Sequence, residues 1–325
     1  MSEADWQPVA GVEVIRKRAA MLARVRAYFA EQEVLEVQTP VLSAAAASDP
    51  QIESIAAYGS NAERQYLQTS PEYPMKRLLA AGIGDCYQIC PVFRDGETGR
   101  LHNPEFTMIE WYRLHFGIAE MQQDVIRLLR AACGELRNFA ATRSITYREA
   151  IADVTDIDCR TATAPEIRAA LADVGIEPAN ASGWDRGAWL DLLMGAMVGP
   201  ELGHDAPVFV RDYPPSQAAL ARLRDESDGS QVAERFELYV DGLEIANGFR
   251  ELGHALEQRR RFEQDLDTRR RRGQPANPLD QRLLAALGHG LPECSGVALG
   301  FDRLVMVALE LPSLEAAMAF PADRA

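Results

Sequence analysis

The residues of this sequence best placed to do chemistry lie in the segment from Gln88 to Arg113, QICPVFRDGETGRLHNPEFTMIEWYR. Its pattern predicts an apolar strand, a charged loop with glycines, and a returning strand. Arg94 ends the first strand, where its guanidinium can hold an anion at the mouth of a pocket. Glu110 and Tyr112 are two residues apart, so a strand places both on one face. The segment predicts an anion site beside a cation site; the alternative is an ordinary hairpin whose polar residues face water.

A second stretch, Ser295 to Arg303 (SGVALGFDR), alternates small and apolar residues. On a strand, Gly296, Ala298 and Gly300 share one face and leave a flat shelf against which a planar ring can lie. Arg303 is expected to open the following helix. Alone this pattern is weak, because such alternation also arises where two elements pack closely.

With Pro40 after a predicted helix and strand, these stretches resemble motifs 1, 2 and 3 of class II aminoacyl-tRNA synthetases. HNPEFTMIEWY and ERFELYVDGLEIANGFREL are similar to the lysyl branch. From about Trp6 to Ala325 the chain resembles the elongation factor P lysine ligases, stand-alone synthetase paralogues that attach (R)-β-lysine to a lysine of elongation factor P. The resemblance implies one α+β catalytic domain over residues 1–325, an antiparallel sheet flanked by helices, with no anticodon-binding domain.

The resemblance also implies a reaction in two steps. ATP activates a carboxylate as an acyl-adenylate, and an amine then displaces AMP. Arg94 would hold the α-phosphate and Arg303 the γ-phosphate, both as catalytic residues, while Glu110 and Tyr112 would take the distal ammonium of a lysine-like substrate. The implied ATP-binding residues are Arg94, Asp95, Gly96, His102, Asn103, Glu244, Ile245, Gly300 and Arg303. The implied substrate-binding residues are Ser70, Pro71, Glu110, Tyr112 and Ala298, with Glu72, Asn247 and Glu251 near the other amine.

Two carboxylates in the segment from Val232 to Gly253 are candidates for binding Mg²⁺. Asp241-Gly242 predicts a hairpin turn between two apolar strands. Glu244 and Glu251 are seven residues apart, which puts them on opposite faces of a regular strand, but a bulge within Ala246-Asn247-Gly248 would restore them to one side. Without the resemblance, solvated surface carboxylates are the simpler interpretation; with it, both are expected to bind Mg²⁺ beside the triphosphate.

The sequence departs from the lysyl pattern at two positions. Gly96 stands where lysyl-type motif 2 usually has a glutamate, and Glu97 follows it, so backbone near Gly96 with His102 and Asn103 is expected to replace the side-chain contact to adenine. Ala298 stands where lysyl-tRNA synthetases generally have glycine. Its extra methyl fits a substrate whose amine is moved by one carbon.

The elements that must position these residues follow from periodicity. Apolar residues from Ile15 to Phe29 recur every three or four positions and predict an amphipathic helix, before a strand that ends near Pro40. The resemblance implies that these elements form a homodimer interface; a monomeric helix packed on its own sheet fits equally well without it. Ala44 to Pro50 predicts a mobile loop. Ser70 as N-cap and Pro71 in the first turn predict a helix to Ala81, in which Glu72 is also an ordinary first-turn acid.

Further along, the pattern predicts a helix from Ile118 to Leu136, a strand beginning within 144–150, and a strand from Pro207 to Tyr213. Residues 151–206 predict a helical insertion interrupted at Pro165 and at later prolines and glycines. Seven arginines fall on a predicted helix from Leu256 to Arg272. The usual explanation for such a run of arginines is a helix face exposed to solvent. The more specific interpretation is a docking face for an acidic protein partner.

Composition limits the classes of function. The chain has 325 residues, 47% hydrophobic, and 48 acidic against 34 basic side chains give a net charge of -14, which opposes general binding to a phosphate backbone. The five cysteines have no zinc-ligand spacing and are expected to be buried thiols. Residues 1–11 do not resemble a secretory signal, and no apolar run reaches the roughly 20 residues of a membrane span. We expect a cytoplasmic protein with no membrane and no tRNA partner.

Three functions compete. A lysyl-tRNA synthetase would be expected to carry an anticodon-binding domain, yet about a dozen residues precede the first helix. A silent regulatory subunit would be expected to lose phosphate-binding and metal-binding residues, yet Arg94, Glu244, Glu251 and Arg303 all remain. The hypothesis that survives is an ATP-dependent ligase that activates (R)-β-lysine and transfers it to elongation factor P.

Overall fold

A computed structural model describes residues 6–60, 63–139, 141–178, 181 and 183–325. The helices are α1 (Val12–Glu31), α2 (Glu72–Ala80), α3 (Ile118–Cys133), α4 (Tyr147–Val154), α5 (Ala164–Asp173), α6 (Arg186–Leu193), α7 (Ala255–Arg271), α8 (Gln281–His289) and α9 (Phe301–Ala308). The strands are β1 (Leu35–Glu36), β2 (Leu42–Ser43), β3 (Ala56–Tyr58), β4 (Arg64–Leu67), β5 (Cys86–Phe93), β6 (Glu105–Leu114), β7 (Arg143–Thr146), β8 (Val208–Tyr213), β9 (Leu223–Asp225), β10 (Gln231–Val240), β11 (Leu243–Arg250) and β12 (Cys294–Gly300).

A sheet of nine described strands organises the chain, in the order β1-β5-β6-β12-β11-β10-β8-β7, with β9 paired to β10. Its central pairs are antiparallel, and only β1/β5 and β7/β8 among the described pairs are parallel. The smaller sheet β2-β4-β3 stands beside it. The predicted α+β class and its mostly antiparallel sheet are confirmed.

One face of the large sheet is covered by α1, α3 and α9. Ile109 and Trp111 of β6 are fully buried there, together with Phe29 of α1. Asp124 of α3 ties the layer together, because it accepts hydrogen bonds from Trp111 Nε1 at 3.1 Å and Tyr28 Oη at 2.6 Å. Since side chains alternate along β6, its even-numbered residues must face the opposite side, where the candidate site lies.

Both predicted hairpins form. β5 pairs with β6 and β10 with β11, and the turn at Asp241 (φ 50°) and Gly242 (φ 75°) has the left-handed conformation that suits a two-residue connection. The bulge is misplaced in the prediction. It falls at Ile245, because Leu238 pairs with Ala246 while Tyr239 pairs with Glu244.

Local boundaries differ from prediction in three places. The strand expected within 144–150 ends at Thr146, which instead caps α4 by accepting a hydrogen bond from Glu149 N at 3.1 Å. Pro165 does not interrupt a helix but lies in the first turn of α5, where its missing N–H costs nothing. α2 begins at Glu72 with Pro71 at the N-cap position, and Ser70 Oγ accepts from Glu72 N at 3.3 Å.

The predicted insertion packs α5 and α6 with α4 and β8 around a second apolar core. Positions 179, 180 and 182 of that prediction lie outside the described residues, as do residues 1–5 of the terminal segment. No described helix combines the length and the apolar character needed to cross a bilayer.

The loop predicted to be mobile is held against α7 and the segment after it. Arg269 Nη1 donates to Asp49 O at 3.0 Å, Asn277 Nδ2 to Ala47 O at 2.8 Å, and Gln274 Nε2 to Pro50 O at 2.9 Å. These bonds satisfy the carbonyls of a segment that has no strand or helix of its own. The prediction of free movement is therefore not supported.

The arginine run does not form one face, contrary to both interpretations. Arg269 is fully buried. Arg260 and Arg261 share Glu257, and Arg261 Nη1 also donates to backbone carbonyls of Ala219 and Ala221. Because a helix turns 100° per residue, seven arginines over four turns reach its buried, lateral and exposed sides.

Candidate active site

A cavity of about 1260 Å³ lies on the sheet face opposite α1 and α3. Its floor is made by β6, β12, β11 and β10, and its walls by α2, α6, α7 and residues 42–52. The floor follows from register: Glu110 lies directly opposite Ala298, and Ala298 opposite Asn247. All three face the cavity because paired residues in a sheet share a face.

At one end of the floor lies a buried carboxyl group that forms no salt bridge with any described residue. Glu110 is 2% exposed, and its Oε1 accepts a hydrogen bond from Tyr112 Oη at 2.7 Å. Its Oε2 has no hydrogen-bond partner among the described residues. Burial, and then the negative charge of Glu72, raise the pKa of Glu110 well above its usual range, against the hydrogen bond from Tyr112. A buried anion of this kind is stabilised when a cation binds next to it.

Three buried amide oxygens also lack a donor within the described ranges. Asn247 and Gln68, whose Oδ1 and Oε1 are two of them, line the cavity, whereas Gln88, whose Oε1 is the third, does not. Gln88 pairs directly with Glu110 across β5 and β6, and Gln68 is anchored by its Nε2, which donates to Pro91 O at 2.9 Å. Buried acceptors without donors are costly, so a ligand that fits this end brings N–H groups, as an ammonium does.

Lys76, which the sequence reasoning missed, organises the neighbouring acids. It is 1% exposed, and its Nζ lies 2.7 Å from Glu72 Oε1 and 2.5 Å from Glu251 Oε2. Burial alone would lower the pKa of Lys76, but Glu251 and Glu72 outweigh it and raise the pKa. The spacing of Lys76 four residues after Glu72 on a predicted helix is the signal that would have found it.

At the other end lie two arginines, of which the side chain of Arg303 is hydrogen-bonded to protein atoms and that of Arg94, within the described residues, is not. Arg303 Nη1 donates to Glu244 O at 2.9 Å, and its Nη2 lies 2.8 Å from His102 Nε2. Burial and the charge of Arg303 lower the pKa of His102, so a neutral ring accepts this bond. Arg94 lies 3.5 Å from Glu97 Oε1 and stacks over the Phe106 ring, while its Nε is buried without a partner in the described chain. This end suits anions.

Glu244 is the carboxylate beside Arg303, with its Oε2 3.9 Å from Arg303 Nη1. Loss of hydration and the neighbouring Glu237 raise the pKa of Glu244 to about 7, against the effects of Arg303 and Arg235. Glu251 lines the same cavity but is paired with Lys76. Within the described ranges no three His, Cys, Asp or Glu side chains already form a metal-binding group.

The sequence profile of class II tRNA synthetases (D, K and N) matches residues 9–324. The chain belongs to this class II family. It is 45% identical over 331 residues to proteins of Salmonella gallinarum and Salmonella paratyphi B that are named elongation factor P--(R)-beta-lysine ligase, and each alignment covers 100% of both chains. Membership of this class II family and this likeness make the chain a ligase.

Most residues assigned from the class II motifs come together in the cavity. Those lining it are Ser70, Glu72, Arg94, His102, Asn103, Glu110, Tyr112, Glu244, Ile245, Asn247, Glu251, Ala298, Gly300 and Arg303. Pro71, Asp95 and Gly96 are not among the lining residues, and Asp95 and Gly96 are exposed on the hairpin loop. The side chain of Asn103 is used internally, since Nδ2 donates to Glu105 O at 2.6 Å and Oδ1 accepts from Ala322 N at 3.0 Å.

The glycines of motif 3 have different reasons for lacking a side chain. A Cβ at Gly296 would lie 2.4 Å from Tyr112 Cε1 and 2.5 Å from Glu251 Oε1, so this position is filled by the protein itself. A Cβ at Gly300 would meet nothing closer than 3.9 Å. The expected shelf for a planar ring is therefore open at Gly300 and closed at Gly296.

Sequence reasoning also missed three residues of β10. Arg235, Glu237 and Tyr239 alternate along the strand and face the same side as Asn247 and Glu244 on β11. They form one hydrogen-bonded group, with Arg235 Nη2 2.5 Å and Tyr239 Oη 2.7 Å from the Glu237 carboxylate. Their period of two is visible in the sequence ERFELY, and the predicted turn at Asp241-Gly242 puts their strand beside β11.

Proposed function

We propose that this chain is an ATP-dependent, AMP-forming ligase that activates (R)-β-lysine and transfers it to a lysine side chain of elongation factor P. The observation that carries the proposal is the buried Glu110 carboxylate, which Tyr112 holds and whose Oε2 has no donor among the described residues, at the end of the cavity opposite Arg94 and Arg303. One end fits an ammonium and the other fits phosphates, with the sheet floor between them.

In the activation step, an oxygen of the substrate carboxylate attacks the α-phosphorus of ATP, and the bond from that phosphorus to the pyrophosphate oxygen breaks. Arg94 would stabilise the charge that builds on the α-phosphate, and Arg303 would bind the γ-phosphate, exchanging its present contacts to Glu244 O and His102 for phosphate oxygens. Glu110 and Tyr112 fix the distal ammonium, which sets where the carboxylate stands.

In the transfer step, the neutral amine of the acceptor lysine attacks the acyl carbon, AMP leaves with the bonding electron pair, and the amine loses a proton. The result is an amide between the activated amino acid and the acceptor. The chain's contribution is again positioning, because an adenylate is already a good acyl donor.

Mg²⁺ would be held by Glu244 and Glu251, whose carboxylates line the cavity. Oxygen ligands completed by phosphates and water suit this ion, and its charge would neutralise the triphosphate. Glu244 is the more available ligand, since its side chain is 39% exposed while that of Glu251 is paired with Lys76.

Ala298 supports a β-amino acid as substrate. Its register puts the methyl between Glu110 and Asn247, on the floor where the substrate backbone would cross. The relatives' name supports elongation factor P as acceptor, and the net charge of -14 opposes binding of tRNA. A homodimer through α1 and β1 is supported by the exposed apolar side chains of Val12 and Leu35.

Pyrophosphate exchange with α-lysine and both β-lysine enantiomers tests the activation step, and labelled transfer to elongation factor P or to tRNA tests the acceptor. We expect exchange to be fastest with (R)-β-lysine and label to appear on the protein. Label on tRNA alone would make the chain a lysyl-tRNA synthetase-like enzyme. No exchange with any lysine would leave a non-catalytic, synthetase-like protein.

A further inference from the structure

We infer that Arg269 is a positioning residue for ATP binding. From α7 it holds the segment 49–53, and through Glu53 that segment holds the backbone beside Arg94. The inference rests on the proposed function only in taking Arg94 as a contact of the α-phosphate. It also gives a role to an arginine of the run on α7 that the fold buries completely.

All three nitrogens of the Arg269 guanidinium donate hydrogen bonds. Nε donates to Pro275 O at 2.9 Å, and Nη1 donates to Asp49 O at 3.0 Å and to Ile52 O at 3.2 Å. Nη2 donates to Glu53 Oε2 at 2.5 Å. Three of these four acceptors belong to one short segment that has no helix or strand of its own. Because the planar guanidinium offers its N–H groups in fixed directions, one side chain determines where this segment lies.

Burial makes this arrangement hard to release. Arg269 is 0% exposed, so water cannot replace a partner that it loses. The Glu53 carboxylate supplies the opposite charge from a side chain that is 33% exposed. If the segment moved away, a buried cation would be left without its carboxylate and without two of its carbonyls, which is strongly destabilising. The segment is therefore kept in one position.

The segment reaches the phosphate end through the backbone of Glu53. Asp95 N donates to Glu53 O at 2.9 Å, and Asp95 directly follows Arg94. Arg94 N donates in turn to Pro104 O at 2.9 Å, within motif 2 itself. Glu53 is thus a tie to this backbone from outside motif 2, and its position depends on Arg269. A displacement of about 1 Å at a residue that orients a reacting group can cost a large factor in rate, so this tie bears on how Arg94 meets a phosphate.

Charge and geometry can be separated at Arg269. Arg269→Lys keeps the positive charge, which also acts on the neighbouring Asp265 of the cavity wall. The ammonium of lysine cannot bind all four acceptors in the directions that the guanidinium serves. Glu53→Ala removes the carboxylate but leaves the backbone carbonyl that accepts from Asp95. Arg270→Lys is the matched control, because Arg270 is the next residue of α7 and its side chain is 62% exposed.

The first measurement is the affinity for ATP with Mg²⁺ and without lysine, by calorimetry. We expect the affinity to fall about tenfold in Arg269→Lys and about threefold in Glu53→Ala, the size of losing a charged hydrogen bond or part of one. It should stay within about twofold in Arg270→Lys. In an Arg94→Ala background the effect of Arg269→Lys should shrink to about twofold, because the side chain that it positions is absent. A full tenfold effect in that background overturns the inference, since Arg269 would then act on ATP by another route.

Amide hydrogen exchange without any ligand provides a second measurement, because the amide of Asp95 reports its bond to Glu53 directly. Exchange should be faster at Asp95 and within the segment 49–53 in Arg269→Lys and in Glu53→Ala, whereas the amides of β6 and β12 should keep the parent's rates. Glu53 is partly exposed, so its variant decides the question even where Arg269→Lys fails to fold.

Unchanged exchange at Asp95 in a folded variant overturns the inference. Faster exchange throughout the large sheet also overturns it, because Arg269 would then have only a general structural role. A parent that does not bind ATP overturns the proposed function instead, and the exchange rates still decide whether Arg269 holds the backbone at Asp95.

Discussion

The two ends of the cavity differ in how their charged side chains are satisfied in the free protein. Glu110 and Tyr112 form the amine end, and Arg94 and Arg303 form the phosphate end. At the amine end Glu110 is 2% exposed, and its Oε2 has no donor among the described residues, so the carboxyl group lacks a salt-bridge partner there. At the phosphate end the side chains of Arg94 and Arg303 are 24% and 23% exposed; Arg303 is hydrogen-bonded to Glu244 O and His102, and Arg94 is 3.5 Å from Glu97 Oε1. The first end is fixed before its ligand arrives, whereas the second must exchange partners when ATP binds.

This difference has a physical reason. Burying an ionised carboxylate costs free energy unless a cation binds to it. The site therefore favours a cationic substrate over a neutral one. An arginine that is partly exposed can be satisfied by carbonyls, a neutral histidine and water, and it can exchange these partners for the oxygens of a triphosphate. Each of the following variants changes a residue of the cavity and tests this difference between its two ends.

The largest effect is expected at the phosphate end. Arg303→Ala should lower adenylate formation by about a thousandfold, because the charge that opposes the developing negative charge is lost. Arg303→Lys should recover little, since an ammonium cannot make the two-pronged contact. Arg94→Ala should behave similarly. Both proteins should melt like the parent, and near-normal pyrophosphate exchange in either would remove that arginine from the site.

At the amine end, Glu110→Gln should reduce lysine activation by about a hundredfold, the size of losing a charge-assisted contact, yet stabilise the free protein. Its carboxyl has a raised pKa when folded, so between the ordinary carboxyl range and that higher value the folded state binds the extra proton. The parent therefore loses stability as pH rises through this window, and the variant does not. Urea unfolding at several pH values checks this; a variant less stable at every pH would show that Glu110 is structural.

Ala298→Gly should shift preference from β-lysine towards α-lysine. The methyl lies beside Glu110 and Asn247, and a methylene-sized change in a fitted pocket is worth about tenfold or somewhat more. The measurement is the ratio of kcat/KM for the two lysines in parent and variant. Equal losses for both substrates would leave Ala298 as a packing residue.

The smallest effect is expected for His102→Ala, about threefold in the KM for ATP, because a single neutral hydrogen bond to a half-exposed group is removed. The freed Arg303 tip should find water. Titration of exchange rate against ATP measures the change, with lysine KM as the internal control. A loss as large as that of Arg303→Ala would show that the histidine contacts the nucleotide directly.

Local sequence determined the parts of the site that depend on short-range geometry. Glu110 and Tyr112 share a face because the side-chain period of a strand is two, and the turn at Asp241-Gly242 follows from residues that tolerate a positive φ. Arg303 opens α9 as its position after the strand predicted. The motifs also carried the family, which the profile and the relatives confirmed.

Only the tertiary structure decided which of these pieces meet. The order β6-β12-β11-β10 puts Ala298 between Glu110 and Asn247, and nothing in the pattern of β12 specifies these neighbours. Lys76 reads as an ordinary helix residue until the fold buries it between Glu72 and Glu251. Arg269 reads as one of seven surface arginines until the loop carbonyls of Asp49 and Ile52 surround it. Periodicity tells which face a side chain occupies, whereas the partner on that face depends on contacts between residues far apart in the chain.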